Sequence, residues 1–427
     1  MGALVIVESG IGKAIKYYRV KQNMTQENLA EGILSISYLS KIESGHIKPT
    51  EEIIDLLSKR LDVDTEHEKK LLDEDKLHEW FQQLLNKDVE NAKQTYESYI
   101  KELVIFDDSY LFYLLQIYKL RYYLLIQDRE KMNEQVATLK TLSRDFTRLE
   151  QFYWYKFYGD YFYIKQLNSD ALDSYSKAEE TLTLLKINEE EMYDLYMSIA
   201  IVANHLENIP ISIEYTQYCL EHYRKKYDLQ KCVECHVLLG LTYRFSKYYV
   251  KAEESYKTAL DLSDQLNDDS LKRLCYQNIG MLKSLQGYSE SAIKYYEQSY
   301  QLRVNESGSI KLVSVISLIK EYVKIGSMKE ANTWMDTGLD IAKDMNPEDS
   351  VYVHEINVYK NIVRQNMNDA WFNYVKKEVL PYLNERKLYV KLNHYLAIIG
   401  DYLFENSKYK LASTYYKEAN DVANKIL

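Results

Sequence analysis

Four prolines and 13 glycines in 427 residues are too few to build the many turns of a sandwich or barrel. They favour long helices with short connections. Four cysteines, Cys219, Cys232, Cys235 and Cys275, are too sparse for a disulfide framework. Cys232-x-x-Cys235 has the spacing of half a zinc site or a redox pair, but no second CxxC and no clustered histidine pair accompanies it. Ordinary helix packing is the expectation there. The 8 histidines are scattered. No P-loop string, no HExxH, no GxSxG and no Ser/His/Asp set stands out. A non-enzyme with no metal and no cofactor is therefore expected. No apolar run approaches the ~20 residues a membrane helix needs. The start, Met1-Gly-Ala-Leu-Val-Ile-Val, is briefly apolar and lacks a basic flank. A cytoplasmic protein with no membrane partner is expected.

What is present points to helices. Hydrophobic residues make up 46% and charged residues 28%, a globular balance. Tyrosine is abundant, at 42 residues. Its apolar ring and polar tip suit half-buried seams between helices. The length exceeds what one core sustains, so several domains or a repeat array follow. The net charge is −10. Residues 1–64 hold 8 Lys/Arg against 9 Asp/Glu, a net of −1, which leaves −9 for the rest. Any nucleic-acid contact must be local, because a chain that binds along its length is expected to be basic.

The first 64 residues read as a small bundle. Ile11 to Lys21 carries helical spacing, and Asn23-Met24 breaks it. Thr25 caps a helix over Gln26–Glu31 that Gly32 ends. Ser35 caps a third over Ile36–Glu43, stopped by Ser44-Gly45. Thr50 opens a fourth that runs to about Leu61. Two short helices joined by a tight turn inside such a bundle form a helix-turn-helix. On the third helix Leu39 and Ile42 point inward, leaving Ser35, Ser37, Tyr38 and Lys41 outward.

From residue 65 on, the pattern repeats. Leu239-Gly240-x-x-Tyr243 followed by Ala252, Tyr256 and Ala259 has the spacing of a tetratricopeptide unit. So do Tyr158-Gly159 with Ala171, Tyr175 and Ala178, Ile279-Gly280 with Ala292 and Tyr296, and Ile399-Gly400 with Ala412, Tyr416 and Ala419. Degenerate copies sit at Ile199-Ala200 and Leu318-Ile319. The glycine-equivalent positions 159, 200, 240, 280, 319 and 400 step by 41, 40, 40, 39 and 81. The last step holds a poorly matched copy near Lys360. The expected fold is all-α: a helix-turn-helix bundle (1–64), a linker (65–76) and a solenoid of eight or nine repeats (77–427), forming a right-handed superhelix used for peptide binding and oligomerisation. Its groove is expected to present Arg121, Tyr153, Asp160, Asn204, Arg244, Gln277, Asn278, Met281 and Lys324. Among these Asn278 can both donate to and accept from a peptide backbone. Arg121 and Arg244 suit a peptide acid. The peptide-binding set is Arg121, Asn204, Arg244, Gln277 and Asn278.

The strings Met24-Thr-Gln-Glu-Asn-Leu-Ala-Glu, Ser37-Tyr-Leu-Ser-Lys-Ile-Glu-Ser-Gly and Lys48-Pro-Thr resemble the Cro/C1 repressor family over roughly residues 11–64. That resemblance implies DNA binding by Ser35, Ser37, Tyr38 and Lys41 in the major groove, with Gln26 and Lys48 on the phosphate backbone. Few cations implies a dimer on two half-sites of double-stranded DNA. With the repeats added, the chain resembles the peptide-pheromone receptors of Gram-positive bacteria, the Rgg, Rap, NprR, PlcR and PrgX group, and most of all its NprR branch. The resemblance implies a quorum-sensing regulator switched by a short imported peptide that changes how a homodimer or higher homo-oligomer assembles. A response-regulator partner from the sporulation pathway, bound by a sequestering adaptor of the Rap kind, is the alternative it implies.

Overall fold

The structure, a computed structural model, describes residues 10–63, 73–101, 103, 111–182, 185, 187–303, 308–346 and 350–426. Every regular element among the described residues is helical. The chain divides into two compact units, residues 1–195 and 196–427, and the division falls inside one helix.

The first unit opens with α1 (Gly10–Lys21), α2 (Gln26–Ala30), α3 (Ile36–Glu43) and α4 (Glu51–Arg60). A side-chain oxygen caps each of the last three. Thr25 accepts from the Asn28 N–H, Ser35 from Tyr38 and Thr50 from Ile53. Each cap satisfies a donor that the first helical turn leaves without an acceptor. Gly45 follows α3 with φ +75°, a left-handed turn that a Cβ would strain. Ile11, Ile15, Leu29, Ala30, Leu39, Ile42, Leu57 and Leu61 form the bundle core.

Three helix pairs follow in the same unit: α5 (Glu74–Leu85) with α6 (Val89–Thr95), α7 (Phe112–Leu125) with α8 (Arg129–Leu142), and α9 (Arg148–Ile164) with α10 (Asn168–Leu182). Residues 65–72 of the expected linker lie outside the described residues. Its last residues begin α5, capped by Asp73. The bundle does not stand apart from these pairs. Tyr17 on α1 is 3% exposed, and its hydroxyl donates to Gln135 Oε1 on α8 at 2.9 Å. Its ring meets Phe112 on α7 edge-to-face at 5.5 Å. Lys13 meets the buried Glu150 on α9 at 3.6 Å, and Lys21 meets Glu134 at 3.3 Å. These contacts anchor α1 on the first repeats. Moving it would expose an aromatic seam and a buried cation.

Helix α11 (Glu189–His205) carries the division. It is followed by α12 (Ile209–Lys225), α13 (Leu229–Phe245), α14 (Tyr249–Leu266), α15 (Asp269–Leu285), α16 (Ser289–Gln301), α17 (Gly308–Lys324) and α18 (Met328–Ala342). Then come α19 (Val351–Val363), α20 (Asp369–Tyr374), α21 (Leu380–Glu385), α22 (Tyr389–Glu405) and α23 (Tyr409–Ile426). The long period has a plain cause. Helices α9, α11, α12, α13, α15, α17 and α22 each run 17 residues. Within the pairs α9/α10, α11/α12, α13/α14, α15/α16, α17/α18 and α22/α23 the connection is a three-residue turn with one residue in the left-handed region: Gln166, Glu207, Lys247, Gly287, Gly326 and Ser407. The poorly matched copy near Lys360 is α19, only 13 residues long. Helix α20 then passes through a π-turn, Val375–Val379, into α21. The extra residue in that turn shifts the helical face and hides the repeat from a spacing search.

The recurring glycine has a steric cause. A Cβ on Gly159, Gly240, Gly280 or Gly400 would stand 2.4, 2.4, 2.7 or 2.5 Å from a ring carbon of Tyr175, Tyr256, Tyr296 or Tyr416. In each case the tyrosine lies sixteen residues later, on the paired helix. Where the glycine is lost, the partner is smaller or more pliable. Ala200 has Thr216 and Ile319 has Met335 at that offset, all four at 0% exposure. A Gly240→Ala substitution is expected to cost about 1–3 kcal/mol by overpacking. In a denaturation cycle, Gly240→Ala with Tyr256→Thr is expected to cost less than the two single changes added.

Candidate functional site

Helix α3 is held by a buried ionic clamp. Arg19 on α1 donates to Glu43 on α3 through Nε (2.6 Å to Oε1) and Nη2 (2.8 Å to Oε2). Its Nη1 donates to the Met24 carbonyl at 2.9 Å. Gln26 on α2 donates from Nε2 to Glu43 Oε2 at 2.8 Å. The Glu43 side chain is 2% exposed. One carboxylate thus ties together the three helices that must be aligned before α3 can enter a groove. A bidentate Arg pair suits this because its planar fork fixes angle as well as distance.

The outer face of α3 is as expected at Ser35, Ser37 and Lys41, all exposed. Tyr38 departs from expectation. It is half-buried and packs on the bundle core. Gln26 is also half-buried and engaged by Glu43, so its amide serves the clamp. Lys48 is exposed. Sequence reasoning passed over Ile36, which is 48% exposed at the first helical position, and the exposed Ser40. An aliphatic side chain there suits the methyl group of thymine. The signal was available, since Ile36 falls off the Leu39/Ile42 stripe.

The repeat residues separate into braces and available groups. Asn204 is 5% exposed and donates to Thr242 Oγ1 at 2.8 Å, so it joins two helices and does not line a groove. Arg121 is paired with Asp160 at 2.8 Å and lies 5.6 Å from the Phe157 ring centroid. Its charge is already neutralised, contrary to the expected peptide-acid role. Tyr153 is buried and donates to Glu191 at 2.5 Å. Gln277 is half-buried and bonded to Ser317 and Ser314. Lys324 donates to the Ser284 carbonyl at 2.9 Å. Asn278 is half-buried, its amide donating back to the Leu274 carbonyl at 2.9 Å. That bond leaves its carbonyl oxygen as an acceptor.

Arg244 is different. It makes no ion pair among the described residues, and its Nη1 stands 2.7 Å from Met281 Sδ. Met281 is 45% exposed. Beside it Tyr256 is fully buried with a hydroxyl that has no hydrogen-bond partner among the described residues. Burial pushes that hydroxyl up to about 12, against the opposing pull of Arg244. Tyrosines at the same repeat position find an acceptor. Tyr175 donates to Asp160 and Tyr416 to Asp401, both at 2.7 Å. Those aspartates follow the repeat glycine, where the Gly240 copy has Leu241. The unpartnered hydroxyl and the unpaired Arg244 are together able to bind a carboxylate or a peptide carbonyl. Tyr256 was hidden from sequence reasoning because it fills a packing position.

Residues 15–67 match the Helix-turn-helix family and residues 233–303 match the Tetratricopeptide repeat family. The chain is similar to the transcriptional activator NprA of Geobacillus stearothermophilus, at 33% identity over 91% of this chain and 97% of that protein. Its fold is similar to that of RapI in its apo form (TM-score 0.64, 20% identity, 83% of this chain and 98% of RapI). It is also similar to NprR in complex with its cognate peptide NprX (TM-score 0.58, 20% identity, 84% and 99%). No helix among the described residues is long and apolar enough to cross a membrane.

Removing Arg19 strands a buried carboxylate. Arg19→Met is expected to destabilise the bundle by about 3–5 kcal/mol, read as lost amide protection in α1–α3. Arg19→Met with Glu43→Met is expected to recover much of that loss. In the second unit burial pushes the Glu355 carboxyl up, but Lys320 and Lys391 outweigh it and hold it down to about 2, from an ordinary 4.5. A depressed carboxylate stabilises the fold above its unfolded value and loses that stabilisation as pH falls through the folded one. Urea stability is therefore expected to drop between about pH 4.5 and 2, and Glu355→Gln is expected to flatten that drop.

Proposed function

The chain belongs to the peptide-pheromone-responsive regulators of the Rgg, Rap, NprR, PlcR and PrgX group, close to NprR, and we propose that it is a transcription regulator switched by a short signalling peptide. Residues 1–64 bind DNA, residues 65–76 link, and residues 77–427 take the peptide and assemble the oligomer. Ser35, Ser37 and Lys41 meet base edges, Ile36 meets a thymine methyl, and Lys48 meets phosphate. Gln26 acts mainly by orienting Glu43 and hence α3. The peptide lies across Asn278, Gln277 and Arg244, with Tyr256 donating to it. The observation that carries this reading is the unpaired Arg244 beside a buried, unpartnered Tyr256 hydroxyl. Groups left so are costly until a ligand completes them. NprA is a transcriptional activator and NprR binds its cognate peptide NprX, which supports both halves of the reading.

The mechanism is a shift of population. A peptide moves the equilibrium between two assemblies only by its differential affinity for them. Because α1 is packed on α7, α8 and α9, the DNA-binding bundle travels with the first repeats, and the two copies of α3 are repositioned as the repeats move.

The test is size-exclusion chromatography with light scattering, alongside DNA binding, using a panel of synthetic heptapeptides encoded by small reading frames beside the gene. One peptide is expected to change both assembly state and DNA affinity. Asn278→Ala and Arg244→Met are expected to weaken that peptide about tenfold or more. Asn204→Ala is expected to lower stability by about 1–3 kcal/mol without changing peptide affinity. Equal DNA binding with every peptide and an unchanging oligomer would make the repeats a constitutive protein-docking scaffold.

A further inference from the structure

We propose that Lys320 and Lys391 form a carboxylate-binding site, and that the group they take is the C-terminal carboxylate of the signalling peptide. The proposal rests on the peptide-binding reading above and adds the place where the peptide ends.

The site is built around Glu355, which is 1% exposed. Its Oε1 accepts from Lys320 Nζ at 2.7 Å and from the Tyr395 hydroxyl at 3.0 Å. Its Oε2 accepts from Lys391 Nζ at 2.6 Å. Three first helices of successive repeats, α17, α19 and α22, meet at this one side chain. Two ammonium groups thus share a single carboxylate, and neither lysine pairs with another acid among the described residues. His394 adds no charge at neutral pH. Its Nε2 lies 3.0 Å from the Tyr359 hydroxyl, and burial pushes the ring down to about 4. The cluster therefore carries one uncompensated positive charge.

Arg121–Asp160 and Lys156–Asp194 are pairs of one cation with one acid, and the buried Arg303 donates to the Ile310 carbonyl and Ser299. Glu253 also meets two lysines, but there Lys257 is 56% exposed and water screens the excess. At Glu355 the excess sits partly out of water, where an unpaired charge is costly and an incoming anion is strongly favoured. The geometry permits entry. An ammonium has three N–H donors, and Glu355 takes one from each lysine. About a third of each side chain stays exposed, 31% for Lys320 and 32% for Lys391. Each ammonium lies over a tyrosine ring at 5.3 Å, Tyr359 under Lys320 and Tyr352 under Lys391. Those rings fix the lysines in place without supplying an acceptor.

The reach also fits. Adjacent packed helices stand about 8–10 Å apart. From Asn278 on α15, Lys320 on α17 is one such step away, Glu355 on α19 two and Lys391 on α22 three, which centres the site at roughly 20 Å. An extended heptapeptide spans about 23 Å at ~3.3 Å per residue. A peptide gripped by its backbone at α15 can therefore place its last residue at Glu355's two lysines.

The experiment uses the full chain and whichever heptapeptide of the panel it binds, in three forms: free acid, C-terminal amide, and free acid with every Asp and Glu replaced by Asn and Gln. Titration calorimetry is expected to show the amide binding about tenfold or more weaker than the acid. Lys391→Met and Lys320→Met are expected to bind acid and amide alike, while Lys391→Arg keeps the preference. Loss on side-chain neutralisation, with none on amidation, would keep the site and assign it an acidic side chain. The wild-type comparison needs no variant to fold. Equal affinity for all three forms would overturn this proposal and leave the peptide reading intact. No binding by any peptide of the panel would overturn both.

Discussion

The contact on which the repeats depend is the one between a glycine on the first helix of a pair and the face of a tyrosine ring on the second. It lets two helix axes approach until ring carbons would touch a Cβ at Gly159, Gly240, Gly280 and Gly400. Interiors are close-packed, so this spacing propagates. The pair is thin enough for 17-residue helices to stack in register. The first helices then touch one another, as Lys320, Glu355, Lys391 and Tyr395 do across three repeats. The tyrosine also delivers a hydroxyl beneath that shared face. The partner that the hydroxyl finds differs from copy to copy. Aspartate at 160 and 401 satisfies it, and leucine at 241 leaves it for something else.

The DNA-binding end relies on a different device, an ion pair in place of a ring. Arg19, Gln26 and Glu43 fix the angle between α1, α2 and α3 within a bundle whose apolar core is small. A buried pair of this kind is a weak source of net stability, because desolvation offsets attraction. Its value here is geometric, since it fixes the orientation of α3, on which Ser37 and Lys41 are exposed. The same α1 uses its opposite face, through Tyr17 and Lys13, to grip α7, α8 and α9. One twelve-residue helix therefore joins groove recognition to the repeats.

Much of this was legible in the sequence, for identifiable reasons. The caps Thr25, Ser35 and Thr50 announce the bundle because a local hydrogen bond determines each start. The repeats announce themselves where Gly and Tyr must coexist, and fall silent at α19, where a shorter helix and a π-turn break the period. Side-chain availability was not legible. Asn204, Arg121 and Tyr153 have the expected spacing, yet each is engaged by a partner 38 or 39 residues away on a neighbouring helix. Pairing across repeats depends on helix rotation, which spacing alone leaves open. Tyr38 failed for a related reason, since a long aromatic side chain can fold back onto the core from a position that a serine would leave exposed.

In the proposed mechanism, peptide and DNA are coupled through one molecule. Linkage requires that coupling to be reciprocal: the factor by which peptide changes DNA affinity equals the factor by which DNA changes peptide affinity. The most direct test measures both on the full chain, with a peptide from the panel and a duplex selected from a randomised pool, at one salt concentration. Two equal factors are expected, each of about 5- to 150-fold. Peptide and DNA that each bind tightly, with both factors equal to one, would contradict it.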